Sequence, residues 1–290
     1  GDTYSNDGDV SGNNGVSDAW VVKLDGTGNI EWQKCFGGSS SDFAYSIQQT
    51  SDGGYILAGN TNSNNGNVSG NHGYSDAWVL KLDNYGNLEW QKCLGGSFDD
   101  QAYSIQQTTD AGYIVAAHTN SYDGDVLETY GNDVFIVKLD NTGNLEWQKC
   151  FGGSSLDYAY SIQQTTDGGF IVGGDTQSSN GDVFGNHGYS DAWALKLDNF
   201  GNLEWQKCFG GTWDDVSFCI QQTIDGGFIL SGATQSTNGD VEGIHGYFDG
   251  WIVKLDNTGS LTWQKCIGGS NEDKICSIKQ TTDGGYIVVR

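Results

Sequence analysis

The residues with the clearest chemical potential are oxygen-bearing and periodic. Thr3, Ser5, Asp7, Gly8, Asp9 and Val10 spell Thr-x-Ser-x-(Asp/Asn)-Gly-(Asp/Asn)-Val, and the pattern recurs five times along the chain. A glycine following an acid in an oxygen-rich loop has the outline of a calcium loop, which makes Asp7, Asp9, Asp123, Asp125, Asp182 and Asp240 the candidate metal ligands. An EF-hand would place carboxylates or amides where Thr3 and Ser5 stand and would end in a bidentate glutamate. The competing reading is that these side chains satisfy the loop's own backbone groups as Asx and ST turns do. No cofactor is indicated outright, and calcium is the one candidate ion.

Two further acids keep the same beat. Asp18, Asp76, Asp133, Asp191 and Asp249 precede one strand-like run, and Asp42, Asp100, Asp157, Asp215 and Asp273 open another. Acids present in every copy fit repeated turn or cap chemistry, whereas catalysis needs a few dissimilar groups with separated pKa values. No nucleophile–base pair, phosphate loop, CxxC or Cys/His cluster appears. The expectation is therefore a non-enzymatic chain with no catalytic residues.

Recognition should sit where the repeat is broken. After the Gly-Gly-Ser/Thr signature the five copies carry Ser40, Phe98, Ser155, Trp213 and Asn271, and Trp213 is the one tryptophan outside the period. Tyr74, Tyr189 and Tyr247 end their loops, each two residues after a histidine, His72, His187 or His245. Phe98, Trp213, Tyr74, Tyr189 and Tyr247 are thus the candidate ligand-binding residues, with ring packing between loops as the alternative.

The elements that must position these groups follow from the period. Trp32, Trp90, Trp147, Trp205 and Trp263 recur at spacings of 58, 57, 58 and 58. Within a unit, "DAWVVKLD" and "NIEWQKCF" flank a glycine-containing turn, and "FAYSIQQT" and "YILAGNT" flank Ser51-Asp52-Gly53-Gly54, giving four strands. No helical apolar period is present. The reading is an all-β, five-bladed β-propeller of four antiparallel strands per blade, one domain over 1–290, with blades near 18–60, 76–118, 133–175, 191–233 and 249–290. Gly1-Asp2-Thr3 matches the continuation of the strand in which Arg290 stops, as ring closure would require, although an excerpt of a longer array would look the same. The long connecting loops and the Gly-Gly segments then emerge on one face, the functional one. The acids at Asp18 and its equivalents precede what should be the innermost strand.

If Asp25 faces Asn29, then Val22 faces Trp32 and Lys23 faces Glu31, and Lys–Glu pairs recur at Lys81/Glu89, Lys138/Glu146 and Lys196/Glu204. The periodic tryptophans read as core between blades. Cys35, Cys93, Cys150, Cys208 and Cys266 read as buried free thiols, because equivalent positions in different blades lie beyond disulfide reach. A Cys208–Cys219 bridge stays open. The net charge of −24 and a pI near 4.1 argue against nucleic acid, since binding phosphates needs clustered Lys and Arg. Apolar runs of four or five residues cannot span a bilayer, so direct membrane insertion is not expected.

"GGSSSDFAYSIQQTSDGGYILAGNT" with "SDAWVVKLDGTGNIEWQK" resembles the tandem propeller repeats of secreted bacterial and archaeal surface proteins, the delta-60 and seven-bladed-propeller-type families abundant in Bacteroidota. The resemblance covers the whole chain. It implies an extracellular or cell-surface localisation and a non-enzymatic adhesion or interaction domain, often part of a larger protein. The partner would be a protein or glycan at the acidic long-loop face. A carbohydrate-active enzyme, with two acids about 5–5.5 or 6.5–9.5 Å apart, and a multivalent lectin are the alternatives.

Overall fold

The computed structural model describes residues 1–290, and its regular elements are strands only. No helix long and apolar enough to cross a membrane is present. The strands in chain order begin with β1 (Asp2–Thr3), β2 (Asp18–Leu24) and β3 (Ile30–Phe36), which form a three-stranded sheet. Four sheets of four strands follow. They are β4 (Asp42–Gln49), β5 (Tyr55–Thr61), β6 (Asp76–Leu82) and β7 (Leu88–Leu94); then β8 (Asp100–Gln107), β9 (Tyr113–Thr119), β10 (Asp133–Leu139) and β11 (Leu145–Phe151). The next are β12 (Asp157–Gln164), β13 (Phe170–Thr176), β14 (Asp191–Leu197) and β15 (Leu203–Phe209); then β16 (Asp215–Gln222), β17 (Phe228–Thr234), β18 (Asp249–Leu255) and β19 (Leu261–Ile267). The hairpin β20 (Ser277–Gln280) and β21 (Tyr286–Val289) ends the order.

The chain divides into two compact units. Gly1–Glu128 with Phe135–Gln148 forms the first, and Thr129–Val134 with Lys149–Arg290 the second.

The sheets also depart from the blade boundaries expected from the sequence. A sheet runs across the long loop, so β5 pairs antiparallel with β6 from Tyr55↔Leu82 to Thr61↔Asp76, while β3 and β4 belong to different sheets. Blades at 18–60, 76–118, 133–175, 191–233 and 249–290 are therefore out of phase with the sheets, which span 42–94 and its equivalents. The physical reason is the set of hydrogen bonds at the link, where Gly38 N donates to the Asp42 carboxylate and Asp42 N to the Ser17 carbonyl, carrying the chain from β3 into the next sheet. The long loop instead lets β6 return beside β5. The first strand of each sheet is consequently the one opened by Asp42, Asp100, Asp157 or Asp215, and not the one after Asp18.

Hairpin register differs from the sequence reading by one residue. Lys23 faces Trp32, Val22 faces Gln33 and Leu24 faces Ile30, with a bulge that leaves Glu31 unpaired. The bulge recurs at Lys81/Leu82, Lys196/Leu197 and Lys254/Leu255. The Lys–Glu ion pairs nonetheless form: Lys23 reaches Glu31, and Lys81, Lys138 and Lys196 each lie 3.0 Å from their glutamate.

The cores lie between sheets within each unit. In the first, Trp78, Leu80 and Leu82 pack with Ala19, Val21, Phe36, Leu57 and Val68. In the second, Trp251, Val253 and Leu255 pack with Ala192, Ala194, Phe209 and Val241. Trp78, Trp193 and Trp251 are fully buried. Trp32 and Trp205 are half-buried and lie against glycine turns of the next sheet. A Cβ at Gly86 would come within 2.9 Å of the Trp32 ring, and one at Gly259 within 2.9 Å of Trp205.

Candidate functional site at the long-loop end of the sheets

The Thr-x-Ser motif serves a buried acid. Asp42 is fully buried where β4 begins, and it accepts from Thr61 Oγ1, from Ser63 Oγ at 2.8 Å and from Gly38 N at 2.8 Å. Asp157 accepts in the same way from Thr176, Ser178 and Gly153 N, and Asp215 from Thr234, Ser236 and Gly211 N. Asp100 accepts from Ser121 Oγ and Gly96 N at 2.8 Å each. Three donors on one buried carboxylate keep a charged group hydrated by protein instead of water.

The serine of each node has a second task. Ser63 Oγ accepts from Ser40 N, Ser121 Oγ from Phe98 N, Ser178 Oγ from Ser155 N and Ser236 Oγ from Trp213 N, all at 3.0 Å. Those four amides belong to the position where the repeat is broken. A periodic acid–hydroxyl scaffold thus fixes the backbone of one variable residue per sheet and leaves its side chain outside.

The second acid set is buried beside the first. Asp18, Asp76, Asp133 and Asp191 are each fully buried with an Oδ1 that receives no hydrogen bond. Asp18 Oδ1 and Asp42 Oδ2 lie 2.6 and 2.5 Å from the point a Cβ on Gly37 would occupy, so the oxygens are no more than about 5 Å apart. A Cβ on Gly152 would lie 2.5 and 2.6 Å from Asp133 Oδ1 and Asp157 Oδ2. Only a glycine fits between such a pair. Burial pushes Asp191 up to about 6 against the hydrogen bonds of His187, with Asp215 adding repulsion. Burial likewise pushes Asp100 up to about 6, with Asp76 adding repulsion. His72, His187 and His245 pair through Nδ1 with Asp76, Asp191 and Asp249 at 2.8, 2.6 and 2.8 Å. Each histidine therefore caps an acid of its own loop.

The aromatic candidates are exposed at this end. Trp213 and Tyr189 are 53% and 69% exposed, and their rings lie nearly parallel with centroids 6.4 Å apart. Tyr247 is also exposed and lines, with Trp213, Gln235 and Gly246, a hollow of about 350 Å³. In the first unit Phe98 stands edge-on to Tyr122 at 6.3 Å, and Tyr74 is exposed. The structure thus brings Trp213 together with Tyr189 and Tyr247, and Phe98 with Tyr122. Tyr122 was not singled out by the sequence, because its place in the loop is taken by Asn64 or Ser179 elsewhere and gives no periodic signal.

The six candidate metal ligands are dispersed among turn contacts. Asp123 accepts from Ser97 N at 2.7 Å and from Ser97 Oγ, while Asp182 and Asp240 accept from Gly152 N and Gly210 N at 3.4 and 3.3 Å. The Asp7 and Asp123 carbonyls each accept from the valine three residues on, Val10 and Val126, at 3.1 Å. Asp125 N donates to Gly95 O at 2.9 Å, and Asp9 lies exposed one residue before Val10. No group of three or more His, Cys, Asp or Glu side chains is placed to hold a metal ion. The geometry favours turn chemistry over a calcium cage in these loops.

The opposite end of the sheets holds Lys81, Lys138, Lys196 and Lys254. Lys81 is buried and donates to Asp52, Glu89 and the Leu82 carbonyl at 2.9, 3.0 and 3.0 Å. Asp52, held down to about 2 by Thr50 first and Lys81 next, comes from the tight turn of the same sheet. Sequence reasoning missed this partner because it assigned β5 and β6 to different blades. None of the seven cysteines forms a disulfide: Cys93, Cys208 and Cys266 are buried, Cys35, Cys150 and Cys219 half-buried and Cys276 exposed. Cys208 and Cys219 do not pair.

No family model matches the chain, and no curated protein matches it in sequence. Among solved structures it is similar to a protein of unknown function from Bacteroides caccae, at 11% identity over 88% of this chain and 97% of that one, with a TM-score of 0.43. It is also similar to BamB from Moraxella catarrhalis, at 14% identity over 93% and 78% with a TM-score of 0.38. Sqt1 from Chaetomium thermophilum matches at 11% identity over 91% and 56%, with a TM-score of 0.45. Likeness at this level says nothing of what the chain binds.

Proposed function

We propose that this chain is a non-enzymatic recognition module of a secreted or cell-surface protein, whose four-stranded sheets are blades of a β-propeller. The observation that carries the reading is the chain from buried acid through serine to variable residue, Asp215–Ser236–Trp213 being the fullest case. A scaffold that repeats while its displayed residue changes is what specificity for a partner requires, and catalysis has no use for it. The acids with raised pKa values support the same conclusion. Asp100 and Asp191 are fully buried, where a substrate has no access to them.

The test is binding of the purified chain to mixed protein and glycan arrays, with parallel assay of glycan products. The reading expects saturable binding that Trp213→Ala removes, without turnover. Sustained release of sugar products would overturn it.

A further inference from the structure

We infer that the hollow between Trp213 and Tyr247 takes an organic cation, the guanidinium or ammonium group of a basic polypeptide. This inference rests on the recognition reading above and names its partner chemistry.

Three observations carry it. The first is charge distribution. In the second unit, Lys196 and Lys254 are buried at the tight-turn end, in pairs with Asp167, Glu204 and Asp225, while Lys207 and Lys265 are exposed along β15 and β19. Asp214, Glu242 and Glu272 are exposed in the loops and Gly-Gly segments at the other end, and Asp214 directly follows Trp213. With a net charge of −24 on the chain, this end attracts cations over a distance and repels anions.

The second is the aromatic surface. Trp213 and Tyr247 are both exposed and line one hollow, and Tyr189 extends the ring surface from Trp213. Indole is the best aromatic face for a cation, and two rings on one hollow can face it from two sides. Gln235 and the Gly246 backbone add polar groups at the same place.

The third is that the region already holds such a contact within the chain. Lys274 Nζ sits 5.2 Å from the centroid of the Phe248 ring, and Phe248 packs edge-on against Tyr247 at 5.5 Å. The aromatic row from Tyr189 to Phe248 therefore has a cation over its last ring and none over Trp213.

The test uses the full chain and a labelled peptide, Gly-Ser-Arg-Gly-Arg-Gly-Arg-Ser-Gly, against a copy with citrulline at each arginine. Citrulline keeps the shape and removes the charge. Fluorescence anisotropy at low salt should show the arginine peptide binding, with affinity falling as salt rises. The citrulline peptide should bind at least tenfold more weakly. Trp213→Ala should weaken the arginine peptide roughly fivefold or more, with Trp213→Phe in between and Tyr247→Ala also reduced. Because these side chains are exposed, unchanged melting curves will show that each variant folds. Equal affinity of wild type and Trp213→Ala, or of the two peptides, would overturn the inference. Binding of a neutral glycan that Trp213→Ala removes, with no arginine dependence, would overturn the cation while leaving the recognition reading standing.

Discussion

Asp175→Asn should stabilise the chain, and only above about pH 5. Asp175 lies on β13, is 7% exposed, and accepts from Ser190 Oγ at 2.9 Å. Burial pushes its carboxyl up to about 6, against hydrogen bonds from Ser190 and Tyr160 and with repulsion from Asp157 and Asp214. A carboxyl whose folded pKa is raised favours folding in its neutral form. Its contribution is fully present below the unfolded value of about 3.8 and is lost as pH rises through about 6. A shift of roughly two units corresponds to about 3 kcal/mol, an upper figure because relaxation reduces it. The repeat itself vouches for the substitution. Asn60 occupies the equivalent place on β5 and donates to Ser75 Oγ at 2.9 Å. Thermal melts from pH 4 to 8 at constant ionic strength should coincide for the two proteins at pH 4. At pH 8 the variant should melt several degrees higher. A variant destabilised equally at both ends of the range would refute the reasoning, since it would mean that the ionised carboxylate is itself needed.

Ser178→Ala removes one donor from buried Asp157 and the acceptor of Ser155 N, so it should cost about 1–3 kcal/mol, read as a lower urea midpoint at unchanged slope. Thiol titration should count seven free cysteines in denaturant. In the native chain exposed Cys276 should react first and Cys93 and Cys208 last, because burial pushes Cys93 up to about 12 and Cys208 further. Melting curves in millimolar calcium, magnesium and chelator at matched ionic strength should coincide, and a rise specific to calcium would restore the loop-cage reading of Asp7, Asp123 and their equivalents.

Much of this was legible from the residues. The Trp32-to-Trp263 period, the turn glycines and the alternation of strand-like runs predict an all-β repeat, and the strands fall where those runs lie. The phase was not legible, because a period gives the spacing of units and not where a sheet begins. Link length does not decide it either, since 25–29 closes the β2–β3 hairpin while 37–41, equally long, passes to another sheet. The bulge at Glu31 escaped for a similar reason: an extra residue in a hairpin leaves no mark in a pattern already interrupted by a turn. Trp213 and its loop tyrosines stood out as breaks in the repeat. The role of Thr61 and Ser63 did not, since the acid they serve, Asp42, is nineteen residues away from the first of them.

The most direct test of the central claim is indole NMR on tryptophan-labelled protein, with Trp213 assigned by Trp213→Phe. Adding a partner recovered from the arrays should move the Trp213 Nε1 resonance in a saturable way and leave those of buried Trp78, Trp193 and Trp251 in place. A partner that binds with equal strength while the Trp213 signal stays fixed would contradict the account.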